Sequence, residues 1–455
     1  MNNIVKYLII GAGPTGLGAA YRLKELGQDD FLVLEQSDHV GGLAASFVDS
    51  KGFTWDIGGH VIFSHYKYFD KLLAKALKKK DWLTHQREAW AWIEGRWIPY
   101  PVQSNIRHLP ADTMWKCLGG LITASKSQHP SSPSNFRDWI VATFGEGLAK
   151  AFFFPYNSKV WAYPPAELAH NWISDRVARV DVTEAIRNVF LEIDDISWGP
   201  NKTFMFPRNG GTGQVWKNAA RMIGNDHIVM NAMVKSIDHS KKEVQTADGV
   251  TYRYEHLLST MPLDILCTAL RPALSRNLLG ASRKLLRSSS NIVGLGLKGR
   301  PPESLRTKCW IYFPEGNCPF YRVTVFSNYS PDNVPGCNQY WSLIAETSES
   351  PCKPVKQVNL VNATIQGCLN TGLIQSKADV VSVWSHRAEY GYPIPSLGRE
   401  AALAKLLPAI EEVGIQSRGR FGAWKYEVGN QDHSAMQGVE WADRIVTGKP
   451  ETTMF

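Results

Sequence analysis

Hydrophobic positions are grouped in short runs that change period along the chain. Lys6 to Ile10 is an apolar run that breaks into Gly11-Ala12-Gly13-Pro14-Thr15-Gly16 and then into the helix-like stretch Leu17 to Leu26, so strand, tight turn and helix are predicted in that order. Phe31 to Leu34 predicts a second buried strand, and a helix is predicted from Tyr66 to the basic cluster Lys78-Lys79-Lys80, where lysines complement the helix dipole. Trp82 to Val102 is aromatic and partly alternating, which predicts strands over Ala89–Ile93 and Arg96–Tyr100 with a turn at Glu94-Gly95. From about Ile106 to Thr183 the period becomes helical, most clearly over Met114–Ile122 and Phe136–Phe153. Ser197 to Asn201 is a predicted loop, and Pro207 to Gly213 opens an amphipathic helix that runs through Met222. Val244 to Thr251 with Leu257-Leu258 predicts strands that return to the first sheet. Ser289 to Trp384 reads as an antiparallel sheet with Pro-bearing loops, and Gly419 to Asn430 with a helix from about Asp432 carries the chain back to its start. No internal repeat, low-complexity tract or flexible linker interrupts this order.

The first segment carries the most specific chemistry. Three glycines at GxGxxG spacing between a strand and a helix let the backbone approach a pyrophosphate, whose charge then sits at the helix N-terminus. Glu35 ends the second strand 24 residues after Gly11, where a carboxylate can accept both ribose hydroxyls and selects against a 2′-phosphate. Gly41-Gly42 supplies a second close backbone approach, which favours FAD over NAD, and Gly58-Gly59-His60 extends the cradle. The expected fold class is α/β: a Rossmann-like FAD-binding domain (residues 1–80, 203–258 and 418–455) with a helical insert (105–202) and an antiparallel-sheet insert (81–104 and 259–417), the inserts forming the substrate side.

Composition narrows the remainder. At 455 residues, 44% hydrophobic and 20% charged, the chain is of ordinary globular type, and it contains no apolar stretch long enough for a membrane helix. Its first apolar run leads into the phosphate loop rather than a cleavage site, so a cytoplasmic protein is expected, with no membrane association. Seven scattered cysteines with no CxxC pair predict neither a disulfide framework nor a metal site. A net charge of +8 without a nucleic-acid-binding signature points away from nucleic acid and suits a small anionic substrate.

Several long motifs occur together in one order: Asp56-Ile57-Gly58-Gly59-His60-Val61-Ile62-Phe63-Ser64-His65, Tyr100-Pro101-Val102-Gln103, Pro155-Tyr156-Asn157-Ser158-Lys159-Val160-Trp161 and Cys309-Trp310-Ile311-Tyr312. They are followed by Phe320-Tyr321-Arg322 with Asn328-Tyr329, Gly391-Tyr392-Pro393, and Gly419-Arg420-Phe421 with Tyr426 to His433. In these the chain resembles the UDP-galactopyranose mutases of the eukaryotic type, from the first strand almost to the C-terminus. The resemblance implies the fold of flavoprotein amine oxidases and an isomerase of galactofuranose biosynthesis that catalyses no net oxidation. It interconverts UDP-galactopyranose and UDP-galactofuranose through a sugar adduct on N5 of reduced FAD. Such chemistry asks for positioning and for stabilisation of a leaving diphosphate more than for acids and bases.

The same resemblance implies the site. Arg176 and Arg322, far apart in sequence, would clamp the diphosphate from two sides. Tyr312, Tyr329, Tyr392 and Tyr426 would donate to the phosphates without adding charge. Tyr100, Gln103, Asn157 and Trp161 would form the uridine pocket, and His60 would contact the flavin ring near N5. Arg420 and Asn430 would face the sugar and flavin, and Gly429, Asn430 and Gln431 would direct a helix N-terminus at the flavin's polar edge. Arg87 matches a position associated with NADPH as reductant. Departures from the pattern are Val102 in place of an aromatic, the Arg208-Asn209 pair before the Gly-Gly-Thr-Gly turn, and Ala89 beside Arg87. The chain also stops soon after Gly448, so the tetramer of fungal relatives is not implied and the oligomeric state stays open. Each residue also has a plain reading: a surface ion pair for an arginine, core packing for a tyrosine or tryptophan, a buried structural histidine for His60. The same ring contraction on another nucleotide sugar and an amine-oxidase-type oxidoreductase stay open as alternatives.

Overall fold

The computed structural model describes residues 4–126, 133–173, 176–196 and 202–454. Two sheets organise them. The first has eight strands and is built around Ile4–Ile10, which pairs in parallel with Phe31–Leu34 on one side and with Thr251–Ser259 on the other. Leu8 and Ile9 are wholly buried, as expected of a parallel central strand covered on both faces. Ile228–Val229 extends one edge, and Glu243–Thr246, Val234–Asp238 and Leu270–Arg271 extend the other. The helices Pro14–Glu25 and Gln431–Thr447 pack against each other with Tyr7, Ala19, Ala435 and Trp441 in a common core.

The second sheet has seven strands, in the order Val380–Pro393, Arg287–Lys298, Tyr340–Glu349, Arg322–Val325, Trp310–Tyr312, Ala89–Ile93 and Arg96–Pro99. All neighbours are antiparallel except Trp310–Tyr312 against Ala89–Ile93, which run parallel. The turn expected at Glu94-Gly95 has both residues at positive φ, 50° and 73°. Strand register fixes the cross-strand neighbours of Arg322, which lies opposite Tyr312 on one side and opposite Glu346 on the other.

The helical region consists of Ala111–Lys126, Phe136–Leu148, a π-helical turn over Ala149–Phe153 that leads into Phe154–Trp161, and Val182–Phe190. Its core of Phe136, Ile140, Phe144, Phe152 and Trp161 also takes in Ile98, Val102 and Ile394. No helix of the described residues is long and apolar enough to cross a membrane.

The structure differs from the sequence reading in three places. The helix expected to end at Lys78–Lys80 ends at Ala76, because Leu77 is extended (φ −136°, ψ 139°), and the lysines enter a separate 3-10 turn, Lys79–Asp81. Strands Leu270–Arg271 and Ile415–Ser417, expected in the antiparallel insert, pair instead with the first sheet. Helices Leu263–Ala269 and Arg399–Glu412 share that sheet's core through Leu263, Leu266, Leu406 and Ile410. Strands of two or three residues are too short for a period to show in the sequence. Trp82–Gln86, expected in the same insert, pairs with Thr203–Pro207 in a sheet of its own. The predicted loop Ser197–Asn201 lies outside the described residues.

Candidate active site

A cavity of about 1470 Å³ opens between the two sheets and the helical region. It exceeds the roughly 300–1,000 Å³ of ordinary small-molecule sites, so it has room for a dinucleotide and a second ligand. One end is the glycine turn. Gly11 has φ +100°, and a Cβ there would lie 2.1 Å from Thr260 Oγ1, so only glycine lets the turn close on that neighbour. A Cβ on Gly13 would meet nothing within 4 Å, which leaves an open backbone face at the N-terminus of Pro14–Glu25, where a pyrophosphate would sit. Glu35 also lines the cavity. Its Oε2 accepts from Ala12 N (2.7 Å) and its Oε1 from Ser37 N (2.9 Å), so the carboxylate is fixed while each oxygen keeps a further lone pair for a ribose hydroxyl. Gly42, Gly59, Gly429, Asn430 and Gln431 lie on the same wall, with Asn430 as the N-cap residue of Gln431–Thr447. These features fit FAD. Gly16, Gly41 and Gly58 stand behind this lining, and Gly16 is where the helix meets the first strand: a Cβ there would strike Gly11 O at 1.8 Å.

The middle of the cavity holds the charged groups. Arg322 forms a two-bond ion pair with Glu346, Nε to Oε1 at 2.6 Å and Nη2 to Oε2 at 2.9 Å, as their cross-strand register allows. Glu346 also accepts from Gly59 N (3.1 Å) and Tyr321 Oη (2.9 Å), and Tyr321 Oη is 3.2 Å from Tyr392 Oη. Burial alone would raise the Glu346 carboxyl, but Arg322 and these donors outweigh it and hold the group below the usual carboxylate range. Through Glu346 the turn that carries His60 is tied to Arg322. Burial, with smaller contributions from Arg322 and Arg420 against Glu346, pulls His60 down to about 4, so its ring is neutral at pH 7. His60 lines the cavity, and its Nδ1 is buried without a hydrogen-bond partner among the described residues.

Arg176 and Arg420 meet on one tyrosine. The Arg176 guanidinium lies 4.8 Å and that of Arg420 5.7 Å from the Tyr426 ring, and Arg420 is also 5.0 Å from the Tyr392 ring. Both donate to backbone carbonyls: Arg176 to Glu427 O, Arg420 to Gly391 O (3.1 Å) and Gly429 O (3.1 Å). Burial, and after it the nearby Arg176, pull Arg420 down, opposed by the tyrosines around it. This is the arrangement an anion would stabilise. Arg176 and Arg322, expected to form a clamp, both line the cavity; Arg322 is neutralised locally by Glu346, while Arg176 and Arg420 form no ion pair with a carboxylate of the described residues. Burial pushes the phenols of Tyr312, Tyr321 and Tyr392 up, so they remain neutral donors at pH 7.

The remaining expected contacts divide. Tyr100 and Tyr312 line the cavity with their rings 4.9 Å apart, and Arg87 lies beside them. Gln103, Asn157 and Trp161 do not reach its wall. Gln103 donates to Ala178 O (2.6 Å), Asn157 donates back to Phe153 O (2.8 Å), and Trp161 stands behind Tyr426 with ring centroids 4.9 Å apart. Tyr329 is also absent from the wall. It is fully buried among Phe204, Phe206 and Phe326, since its turn packs into the core beneath the second sheet. Glu346 and Tyr321 were not singled out from the sequence. The signal for Glu346 was present as an acid directly after the apolar run Leu343-Ile344-Ala345 of a strand, where a buried charge needs a partner. His65, Asp432 and His433 bring ligand-type atoms within 4.8 Å of one another, where no metal site was expected. The His65 ring is 2.7 Å from Asp432 Oδ2, and His433 Nδ1 is 2.7 Å from Tyr66 Oη, so they hold the turn after Ser64 onto the last helix.

A flavin cradle joined to a substrate cavity between a mixed sheet and a helical insert defines an FAD enzyme of the amine-oxidoreductase class. The profile of the family described as "Flavin containing amine oxidoreductase" matches residues 14–403. A solved structure of reduced UDP-galactopyranose mutase is 45% identical and superposes with a TM-score of 0.96 over 99% of this chain and 96% of that one. Within the flavin-containing amine oxidoreductases, the chain belongs to the UDP-galactopyranose mutase family. Cyclohexylamine oxidase from Brevibacterium oxydans shares the fold, with a TM-score of 0.66 at 16% identity over 98% of this chain and 99% of that one. The Dictyostelium discoideum protein named "Probable flavin-containing monoamine oxidase A" is 25% identical over 285 residues, 58% of this chain and 58% of that protein's length.

Proposed function

We propose that this protein is a flavin-dependent mutase that interconverts UDP-galactopyranose and UDP-galactofuranose. The observation that carries this reading is the charge of the cavity. Arg176, Arg322 and Arg420 line it together with five tyrosines, and the charge of Arg176 and Arg420, which no carboxylate of the described residues bonds, suits a nucleoside diphosphate better than the protonated amine that an amine oxidase must admit. Two charge-assisted contacts of about 1.5–3 kcal/mol each would supply roughly 3–6 kcal/mol, enough for a complex in the millimolar to tens-of-micromolar range. The likeness to the solved mutase supports the same reading.

Bound in its reduced form, FAD supplies a nucleophilic ring nitrogen for the anomeric carbon of the sugar. The chain's own residues do the rest. Arg176 and Arg420 hold the departing diphosphate, with Tyr312, Tyr392 and Tyr426 as hydroxyl donors around it, and Arg322, backed by Glu346, lies on the same cavity. Tyr100 offers its ring to the uracil. Gln103, Asn157, Trp161 and Tyr329 support this wall from behind. His60, neutral at pH 7 and on the cavity wall, meets the flavin ring without adding charge. Arg87, on the same cavity, suits NADPH as the reductant, and a cytoplasmic location accords with that donor.

The experiment is anaerobic turnover of UDP-galactofuranose by flavin-loaded protein reduced with dithionite or with NADPH, followed by chromatography. Formation of UDP-galactopyranose without consumption of reductant is expected. If none forms while candidate amines drive oxygen uptake, the oxidase reading replaces this one. If only a different UDP-sugar turns over, the sugar assignment falls and the chemistry stands.

A further inference from the structure

One buried amine and one buried thiol, neither of them part of the cavity wall, face each other across two parts of the fold. Lys159 lies on the helix Phe154–Trp161, between Asn157 and Trp161. Cys318 lies in the connection between strands Trp310–Tyr312 and Arg322–Val325, whose ends carry the cavity residues Tyr312 and Arg322. Both residues are more than nine-tenths buried. Lys159 Nζ donates to Glu315 O (2.7 Å) and Cys318 O (3.0 Å) and is 3.5 Å from Cys318 Sγ. The ammonium site is thus built from two carbonyls and a thiol, with no carboxylate bonded to it among the described residues.

We propose that Lys159 and Cys318 are a modification site, at which an oxidant of the peroxide class joins the lysine nitrogen to the cysteine sulfur through one oxygen atom. The bridge ties the helix behind Tyr426 to the strand connection that leads into Arg322.

The chemistry balances with hydrogen peroxide, which reduced flavins release on meeting dioxygen. The thiol reacts with one peroxide to give a sulfenic acid and water. The sulfenic acid, the neutral amine and a second peroxide then give the S–O–N bridge and two waters. Sulfur and nitrogen are oxidised and peroxide oxygen is reduced, and the amine and the sulfenic acid lose the hydrogens that leave as water. Geometry favours the inserted oxygen over a direct sulfur–nitrogen bond. A direct bond requires the 3.5 Å separation to shrink further than a bridge with an intervening oxygen does. Burial pulls the Lys159 ammonium below its ordinary range, against the opposing influence of Cys318. Lys353 is pulled down to about 8 by burial and by Lys159, so a second amine shares this buried region. Burial also raises the Cys318 thiol, which slows its oxidation, and the enclosure of the pair restricts access to a small reagent.

The nearest competing product is a disulfide with the buried Cys368, whose thiol senses Cys318. The test is peptide mapping by tandem mass spectrometry of the full-length, flavin-loaded protein. It is treated with graded hydrogen peroxide until the exposed Cys337 and Cys352 are oxidised. The expected product is a cross-linked pair of tryptic peptides that resists cleavage after Lys159. It is heavier than the sum of its parts by one oxygen less two hydrogens, about +14 Da, and dithiothreitol restores the separate peptides. Lys159→Arg and Cys318→Ser should each abolish it. A sulfinic or sulfonic acid on Cys318 alone, a Cys318–Cys368 disulfide, or an unmodified Cys318 once Cys337 and Cys352 are oxidised would each overturn the proposal.

Discussion

Replacing Glu346 by glutamine keeps the size of the side chain and removes its charge, which isolates the role of the carboxylate behind Arg322. In the wild-type protein its two oxygens receive four donors: Arg322 Nε and Nη2, Gly59 N and Tyr321 Oη. A glutamine can keep Nε and Gly59 on its carbonyl and turn its amide toward Tyr321, but it then faces Arg322 Nη2 with a donor. Breaking one partner of a buried ion pair costs about 3–5 kcal/mol. The Arg322 side chain is 18% exposed toward the cavity, so the low end, about 3 kcal/mol, is the expected loss without nucleotide. For a chain of this length that is a fall in Tm of about 3–6 °C. UDP changes the balance, because its diphosphate supplies the missing negative charge. Removing a carboxylate about 6 Å behind the anion, at an effective dielectric near 40, is worth about 1.4 kcal/mol, or about tenfold tighter UDP binding. Turnover should fall even so, since the Gly59 turn that presents His60 loses its anchor. Thermal unfolding of flavin-loaded wild type and Glu346→Gln, with and without UDP, reads both effects. An unchanged Tm together with weaker UDP binding would refute the account of Glu346 as the group that holds Arg322 in reserve.

Other groups in the cavity give further expected outcomes. Arg420→Ala removes a charge that carbonyls and tyrosines surround, and UDP affinity measured by calorimetry should drop about 10- to 100-fold, with flavin retained. His60 has a folded value of about 4, below the ordinary value near 6.5. The unfolded chain therefore binds the extra proton between those values, and the stability His60 contributes is complete above about pH 6.5 and lost as pH falls toward 4, by up to about 3 kcal/mol. In His60→Ala, denaturant unfolding across pH 4–7 should show a shallower acid slope, and an identical slope would remove His60 from that role. Gly13→Val places a branched side chain in the open space against which a pyrophosphate would lie. The protein should fold with native circular dichroism yet purify without the visible absorption of flavin. A yellow Gly13→Val protein would show that the cofactor passes elsewhere.

Much of this molecule was legible in its sequence, because the relevant physics is local. A glycine turn between an apolar strand and a helix, with an acid at the end of the next strand, specifies a pyrophosphate and ribose cradle through backbone conformation and short-range charge. Gly11, Gly13 and Glu35 lie together on the cavity, Gly11 at positive φ, and the Glu94-Gly95 hairpin follows from turn chemistry alone. Arg176, Arg322 and Arg420 were identifiable as candidates, but how they share their charges was not. That division depends on which strands pair and in what register. Arg322 is quenched because Glu346 falls directly opposite it in a neighbouring strand, while Arg176 and Arg420, from elements distant in sequence, converge on Tyr426. Likewise nothing local distinguished Tyr329 or Trp161 from Tyr100. All three are aromatic residues in similar motifs, and only the packing of Phe204, Phe206 and Phe326 around one, and of Tyr426 in front of another, decides which ring meets the cavity. Backbone conformation and period are properties of neighbours in the chain, whereas charge pairing and burial are properties of neighbours in space, which the completed fold alone brings together.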